Sequence, residues 1–174
     1  MKTHILFLIV LFSLLLFLNG CEDTVSDNTS YTSIDSRINI KLREELSANS
    51  QNVVLNCRTE RIYGCINYGI DYSVIRTANS FRIKFSRIII SDICLTALGP
   101  ASAQINLGNL SAGTYNLTLE VNGKTESATL TVTDSLYQIN FLPGFDFKFD
   151  NTKLHRVPPY LIWGSVGYIN DSLT

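Results

Sequence analysis

Histidine is scarce in this chain. There are two, and only His155 lies beyond the apolar N-terminal run. A catalytic histidine needs an orienting group and a nucleophile around it, and no motif supplies them here. Trp163-Gly164-Ser165-Val166-Gly167 has the outline of a nucleophile elbow but puts Trp163 where the first glycine belongs. A hydrolase acting through His155 is the weakest reading, and His155 reads as a surface residue beside Arg156. Cysteine is also sparse, with four in 174 residues. A zinc site would have to gather Cys57, Cys65, Cys94 and His155. The seven residues between the first two exceed the two to four of common zinc pairs. No metal and no cofactor is implied. A basic excess is missing: 14 Lys and Arg stand against 15 Asp and Glu. Without surplus cations to neutralise phosphates, nucleic acid is excluded as a partner. There is no run of like charge, no internal repeat, no low-complexity stretch and no amphipathic helical period after the N-terminal run.

What is present begins at the N-terminus. Met1-Lys2-Thr3-His4 precedes an apolar run interrupted only by Ser13, which ends at Leu18-Asn19-Gly20-Cys21. A short basic start, an apolar stretch and small residues before a cut site describe a secretory signal. The stretch is short for a bilayer span, which takes ~20 residues. Removing residues 1–20 leaves 154 with net charge −2, enough for one domain plus an extension. A chain of that size buries ~70% of its unfolded surface without a staple.

The Leu18-Asn19-Gly20-Cys21 ending resembles the lipobox of bacterial lipoproteins. The alternatives are an ordinary signal peptide or a transmembrane helix, and a cysteine at the end of the run favours the lipoprotein. The resemblance implies cleavage before Cys21, diacylglycerol on its sulfur and acylation of the new amino group, and several chains together make a stable anchor. It implies a protein of the bacterial envelope, with the outer membrane favoured and the bilayer as a partner through Cys21. Glu22 and Asp23 resemble a surface-export signal of one broad Gram-negative group. Residues 21–36 are nearly all small, polar or acidic, which predicts a flexible tether. Three cysteines remain in an exported, oxidising setting. Cys57–Cys65 is the first-ranked bridge and Cys65–Cys94 the second; three buried thiols are the alternative.

From residue 37 the hydrophobic period is two. Ile38-Asn39-Ile40-Lys41-Leu42 alternates, Val53, Leu55 and Cys57 share a face, and so do Tyr68, Ile70, Tyr72 and Val74. Phe81 to Phe85 alternates before Ile88-Ile89-Ile90. Arg43 to Leu46 predicts one helical turn at most, and Ser91–Ala101, with Gly99-Pro100, predicts a loop. Gln104 to Leu107 reads as a short strand. Asn122-Gly123 predicts a two-residue type I′ hairpin. That register sets Val121 opposite Lys124, Leu117 opposite Ala128, Tyr115 opposite Leu130 and Leu119 opposite Glu126, with this last end less covered.

Leu110 to Leu119, this hairpin and Ala128 to Val132 resemble the last two strands of a bacterial immunoglobulin-like domain. In that fold a tyrosine near the start of the penultimate strand bonds back to the preceding corner, a role that falls to Tyr115. The strand of Tyr115 lacks the usual cysteine, and Trp163 lies after the last strand. The resulting expectation is an all-β, immunoglobulin-like antiparallel sandwich over residues 37–133, with a β-rich extension over 134–174.

In the extension, Tyr137, Ile139 and Phe141 alternate with polar residues, and Phe145 to Asp150 alternates after Pro143-Gly144, predicting another hairpin. So many aromatics exceed the exposed patch a soluble monomer tolerates, so the extension should pack on the sandwich. Tyr160, Trp163 and Tyr168 form a core plug or a sugar-stacking platform. Asp146 and Asp150 flank Lys148, which favours a solvated face over an acid–base or calcium pair. Tyr63, Tyr68 and Tyr72 with Arg58, Arg61 and Arg76 are a candidate binding surface or strand packing. Thr24, Ser135 and Ser172 sit in Asp-Ser/Thr-apolar triplets that resemble bacterial O-glycosylation acceptors. Together these features point to a non-catalytic anchored module with a protein or glycan partner.

Overall fold

The computed structural model describes residues 30–47 and 50–158. Cys21, Thr24, Tyr160, Trp163, Tyr168, Ser172 and the signal segment lie outside the described residues. The described chain is all-β: β1 (Ser30–Thr32), β2 (Ile38–Ser47), β3 (Ser50–Tyr63), β4 (Gly69–Arg76), β5 (Ser80–Ile90), β6 (Gly99–Gly108), β7 (Gly113–Val121), β8 (Lys124–Val132), β9 (Leu136–Phe141), β10 (Phe147–Phe149) and β11 (Lys153–His155). They form one curled mixed sheet in the order β10-β2-β3-β6-β4-β5-β7-β8-β9-β11, with β1 on the outer part of β5.

Alternation places the side chains. Ile38, Ile40 and Leu42 of β2, Phe81, Ile83 and Phe85 of β5, and Leu117 and Leu119 of β7 line one continuous core. The β7–β8 hairpin has the expected register throughout, from Val121↔Lys124 to Tyr115↔Leu130. Asn122 and Gly123 both have positive φ, at 51° and 75°, as a type I′ turn requires. The Tyr115 hydroxyl donates to the Ser111 carbonyl at 3.0 Å.

Several local expectations differ from the structure. Pairings β5–β7 and β10–β2, and the single β4–β6 bridge, run parallel, where an antiparallel arrangement was expected throughout. A parallel pair needs a crossover; between β5 and β7 the crossover carries β6, which leaves to pair with β3. Arg43 to Leu46 continue β2, held along β3 by pairs such as Glu44↔Val53. Gly99 and Pro100 begin β6, so the loop closes at Leu98. The described part of the segment read as tether, residues 30–36, is not flexible: β1 pairs with Ile88 to Ile90 and Ile34 is buried in the core. The Leu119 end of the hairpin is covered: Leu119 is buried, and Glu126 Oε1 accepts from the Asp146 amide at 3.0 Å.

The C-terminal strands close the sheet. β9 pairs with β8. The chain then crosses to β2 as β10 and returns to β9 as β11, instead of making a second hairpin. The intervening Asp150-Asn151-Thr152 joins both edges. Asp150 N donates to Ile40 O at 2.9 Å, and the Asn151 amide bonds both Leu42 N and Leu42 O at 2.8 and 3.0 Å. Ile139 N donates to Thr152 O at 2.8 Å. Backbone edges that would attract other chains are thereby occupied. Phe147 and Phe149 enter the core, Phe147 packing 5.7 Å from Phe85. Phe145 breaks the alternation and is 87% exposed, because the strand starts only after the turn at Pro143-Gly144.

Candidate functional site

Loops gather at two ends. Strand directions place residues 33–37, 64–68, 91–98, 122–123 and 142–146 at one end, and turns 77–79, 109–112 and 133–135 with residues 156–158 at the other.

The first end carries the disulfide. Cys65 bonds to Cys94 with their Cα atoms 5.3 Å apart, and Cys57 is a free, buried thiol. The first-ranked Cys57–Cys65 pair does not form, because Cys57 points from β3 into the core while Cys65 lies in the loop beyond that strand. Burial pushes the Cys57 thiol up to about 12, so it stays protonated and unreactive. The bridge ties loop 64–68 to loop 91–98, and Asn67 adds a second tie. Its Nδ2 donates to Ile93 O at 2.5 Å and its Oδ1 accepts from Leu95 N at 3.2 Å. Gly99 supports the pair from below: a Cβ there would stand 2.6 Å from Ile66 Cγ1. On this stapled platform Ile66, Ile93, Leu95 and Leu98 face outward, Ile93 and Leu98 being 75% and 77% exposed. The sequence signal was a cysteine set among large aliphatics, but a Gly-Pro loop reading conceals it.

A second feature is a groove of about 650 Å³ over the outer faces of β7, β8 and β9. Cross-strand rows such as Asn116↔Thr129↔Asn140 build it. Thr118, Ser127 and Gln138 add hydroxyl and amide groups, and Phe141 and Leu142 form one wall. No ionisable side chain lines it. Its chemistry is neutral hydrogen bonding, without a general acid or base.

The third is a polar clamp at the opposite end. Tyr137 Oη donates to Glu44 Oε1 at 2.9 Å, and Val157 N donates to Glu44 Oε2 at 2.7 Å. Arg156 lies 3.9 Å from that carboxylate and 5.1 Å from the Tyr137 ring centroid. Arg156 also donates to Thr133 O at 2.9 Å and Gln51 Oε1 at 3.2 Å. Burial, followed by the hydrogen bond to and the charge of Glu44, pushes the Tyr137 phenol up to about 12. The clamp locks the chain after β11 onto β2 and β3.

The aromatic and arginine set does not converge. Tyr63 packs at a tilt against Tyr68, ring centroids 5.4 Å apart, with Arg61 over Tyr63 and paired to Asp35. Burial, then the negative charge of Asp35, raises the Tyr63 phenol. Tyr72 Oη donates to Gln104 O at 2.9 Å, and Arg76 caps Leu107 O at 3.2 Å beside Phe81. Arg58 lines a separate cleft of about 140 Å³ with Lys41, Arg43 and Asp150. Asp146 is held by Lys124 at 3.3 Å, so Asp146 and Asp150 act apart. His155 sits exposed on β11 opposite Leu136, with no side-chain partner among the described residues. Ser135 is exposed in the β8–β9 turn. No group of three His, Cys, Asp or Glu among the described residues is placed to hold a metal ion.

Comparisons with protein-family models, with curated proteins and with solved structures gave no match.

Proposed function

We propose that this chain is a lipid-anchored, non-catalytic binding module of the bacterial envelope, held by Cys21 and presenting its outer sheet face to a partner. The observation that carries the binding role is the uncharged groove over β7, β8 and β9, built of amides and hydroxyls with an apolar wall. Such a surface recognises by shape and hydrogen bonding. It suits a neutral glycan or a polar peptide, and the density of side-chain amides favours the glycan. The immunoglobulin-like reading of the scaffold belongs with this proposal. Two observations support it: the curled sheet passes from β6 to β4 through one bridge, Gly69↔Ser102, where a division into two layers would fall, and the Tyr115–Ser111 bond matches the corner tyrosine of that fold. The Lys2-to-Cys21 segment supports the anchor.

Two experiments test the reading. Wild type and Cys21→Ser are fractionated after expression in a bacterium; the wild type is expected with membranes and the variant in the soluble fraction, and identical soluble partitioning refutes the anchor. A polysaccharide array is then probed with wild type, Asn116→Ala with Asn140→Ala, and Trp163→Ala. Binding lost only in the paired groove variant supports the groove. Loss only in Trp163→Ala moves recognition to the C-terminal region. Reproducible turnover of a substrate, lost in His155→Ala, overturns the non-catalytic role.

A further inference from the structure

Among the described residues the four most exposed apolar side chains, Leu142, Phe145, Leu98 and Ile93, lie at one end of the sheet, while Leu46, Val74 and Ile75 are exposed elsewhere on β2 and β4. Ile66, Ile93, Leu95 and Leu98 stand on the disulfide platform, and Leu142 and Phe145, 89% and 87% exposed, stand on loop 142–146 at the same end. That loop is fixed there by Arg37 Nε to Phe145 O at 3.0 Å and by the Lys124–Asp146 pair. Apolar side chains this exposed and gathered at one end are the kind of surface that marks a membrane or protein contact.

The chain itself indicates what covers it. β1 pairs Ser30 with Ile90, the residue just before loop 91–98. The polypeptide therefore joins the sheet at this same end. Eight residues, 22–29, lie between Cys21 and Ser30, and an extended chain covers at most ~3.3–3.6 Å per residue. A lipid on Cys21 would hold the apolar end within ~30 Å of the bilayer. Pro158 leaves at the opposite end, beside the Glu44 clamp.

Charge at this end is balanced: Arg61 pairs with Asp35, Lys124 with Asp146 and Arg87 with Asp71, and Arg37 and Asp92 on the loops add one charge of each sign. A protein partner recognised through charge is therefore disfavoured, and so is attraction through anionic headgroups alone. Aliphatic and aromatic tips above balanced charges match the depth profile of a membrane interface.

We propose that the disulfide-stapled apolar end is a membrane-seating surface: it dips into the bilayer that holds Cys21 and fixes the module upright, with the β8–β9 turn pointing away. This rests on the anchor reading above. The staple has a role in it, because a rigid platform loses little conformational freedom on insertion.

The test uses the full lipidated chain in phosphatidylethanolamine–phosphatidylglycerol vesicles, without reductant, so that Cys65–Cys94 stays closed and Cys57 stays buried. An environment-sensitive fluorophore is placed on Leu98→Cys and, separately, on Ser135→Cys. The Leu98 probe should shift to the blue and be quenched by doxyl-labelled lipid, while the Ser135 probe reports water. Raising salt should leave the shift in place, and Ile93→Ser with Leu95→Ser should reduce the quenching several-fold. Flotation with vesicles but a water-like Leu98 probe overturns this inference alone. Failure to float overturns the anchor and this inference with it. A blue shift without vesicles, together with a dimer mass in sedimentation, assigns the surface to a second copy of this chain and also overturns it.

Discussion

Phe147 and Phe145 lie two residues apart in an alternating run, yet the structure gives them opposite fates. Phe147 is 1% exposed and packs against Phe85 from across the core. Phe145 stands in solvent and offers only its carbonyl, to Arg37. Truncating a buried phenylalanine to alanine costs about 3–5 kcal/mol, the lost transfer energy plus the cavity left behind. A domain has only about 5–15 kcal/mol to lose. With a urea slope of about 2 kcal/mol/M, Phe147→Ala should lower the unfolding midpoint by roughly 1.5–2.5 M, against a midpoint of about 2.5–7.5 M by the same slope. Phe145→Ala, a surface change, should stay within about 0.5 kcal/mol, or ~0.25 M in midpoint by the same slope. Both variants are made in a Cys21→Ser background to keep the protein in solution, and unfolding is followed by far-UV circular dichroism. An unchanged slope makes the midpoints comparable. Equal, small shifts for the two would mean that β10 does not close the sheet, and the account of the C-terminal strands would fall.

Other outcomes follow from the same structure. Cys57 should resist a thiol reagent in the native protein and react only after unfolding, and fast native labelling would contradict its burial. Cys94→Ser opens a loop of 29 residues, so chain entropy predicts a loss of about 3–4 kcal/mol, read as a lower urea midpoint. Tyr115→Phe should cost about 0.5–1.5 kcal/mol through the lost bond to Ser111, and a neutral result would remove the corner from the argument. The folded pKa of Tyr137 lies above the unfolded value of ~10, so its stabilising contribution is complete below pH 10 and disappears as pH rises through about 12. Urea midpoints should fall over that window, and Tyr137→Phe should flatten the fall.

What could be read from the sequence was local. The Asn122-Gly123 turn fixes register through two backbone angles, and every expected pair across it is present. Strands whose apolar residues alternate were legible for the same reason. Sequence distance favours Cys57–Cys65, but Cys57 shares the period of Val53 and Leu55 and therefore faces the core, which leaves Cys65 to Cys94. The closure of the sheet was not legible, because β10 pairs with a strand more than a hundred residues earlier and no local pattern encodes that choice. Parallel β5–β7 pairing was hidden likewise, since it depends on where β6 goes. The apolar end was concealed by its dispersal over three loops, which only strand direction brings together. The groove residues read individually as solvent-facing positions of ordinary strands; their rows exist only across β7, β8 and β9.

The proposed role requires Cys21 to join this scaffold to a bilayer. The direct measurement is mass spectrometry of the N-terminal peptide of the protein purified from bacterial membranes. The predicted result is a peptide beginning at Cys21 and carrying diacylglycerol with an acylated amino group. A mature chain that begins elsewhere, or a Cys21 found as a free thiol, would contradict it.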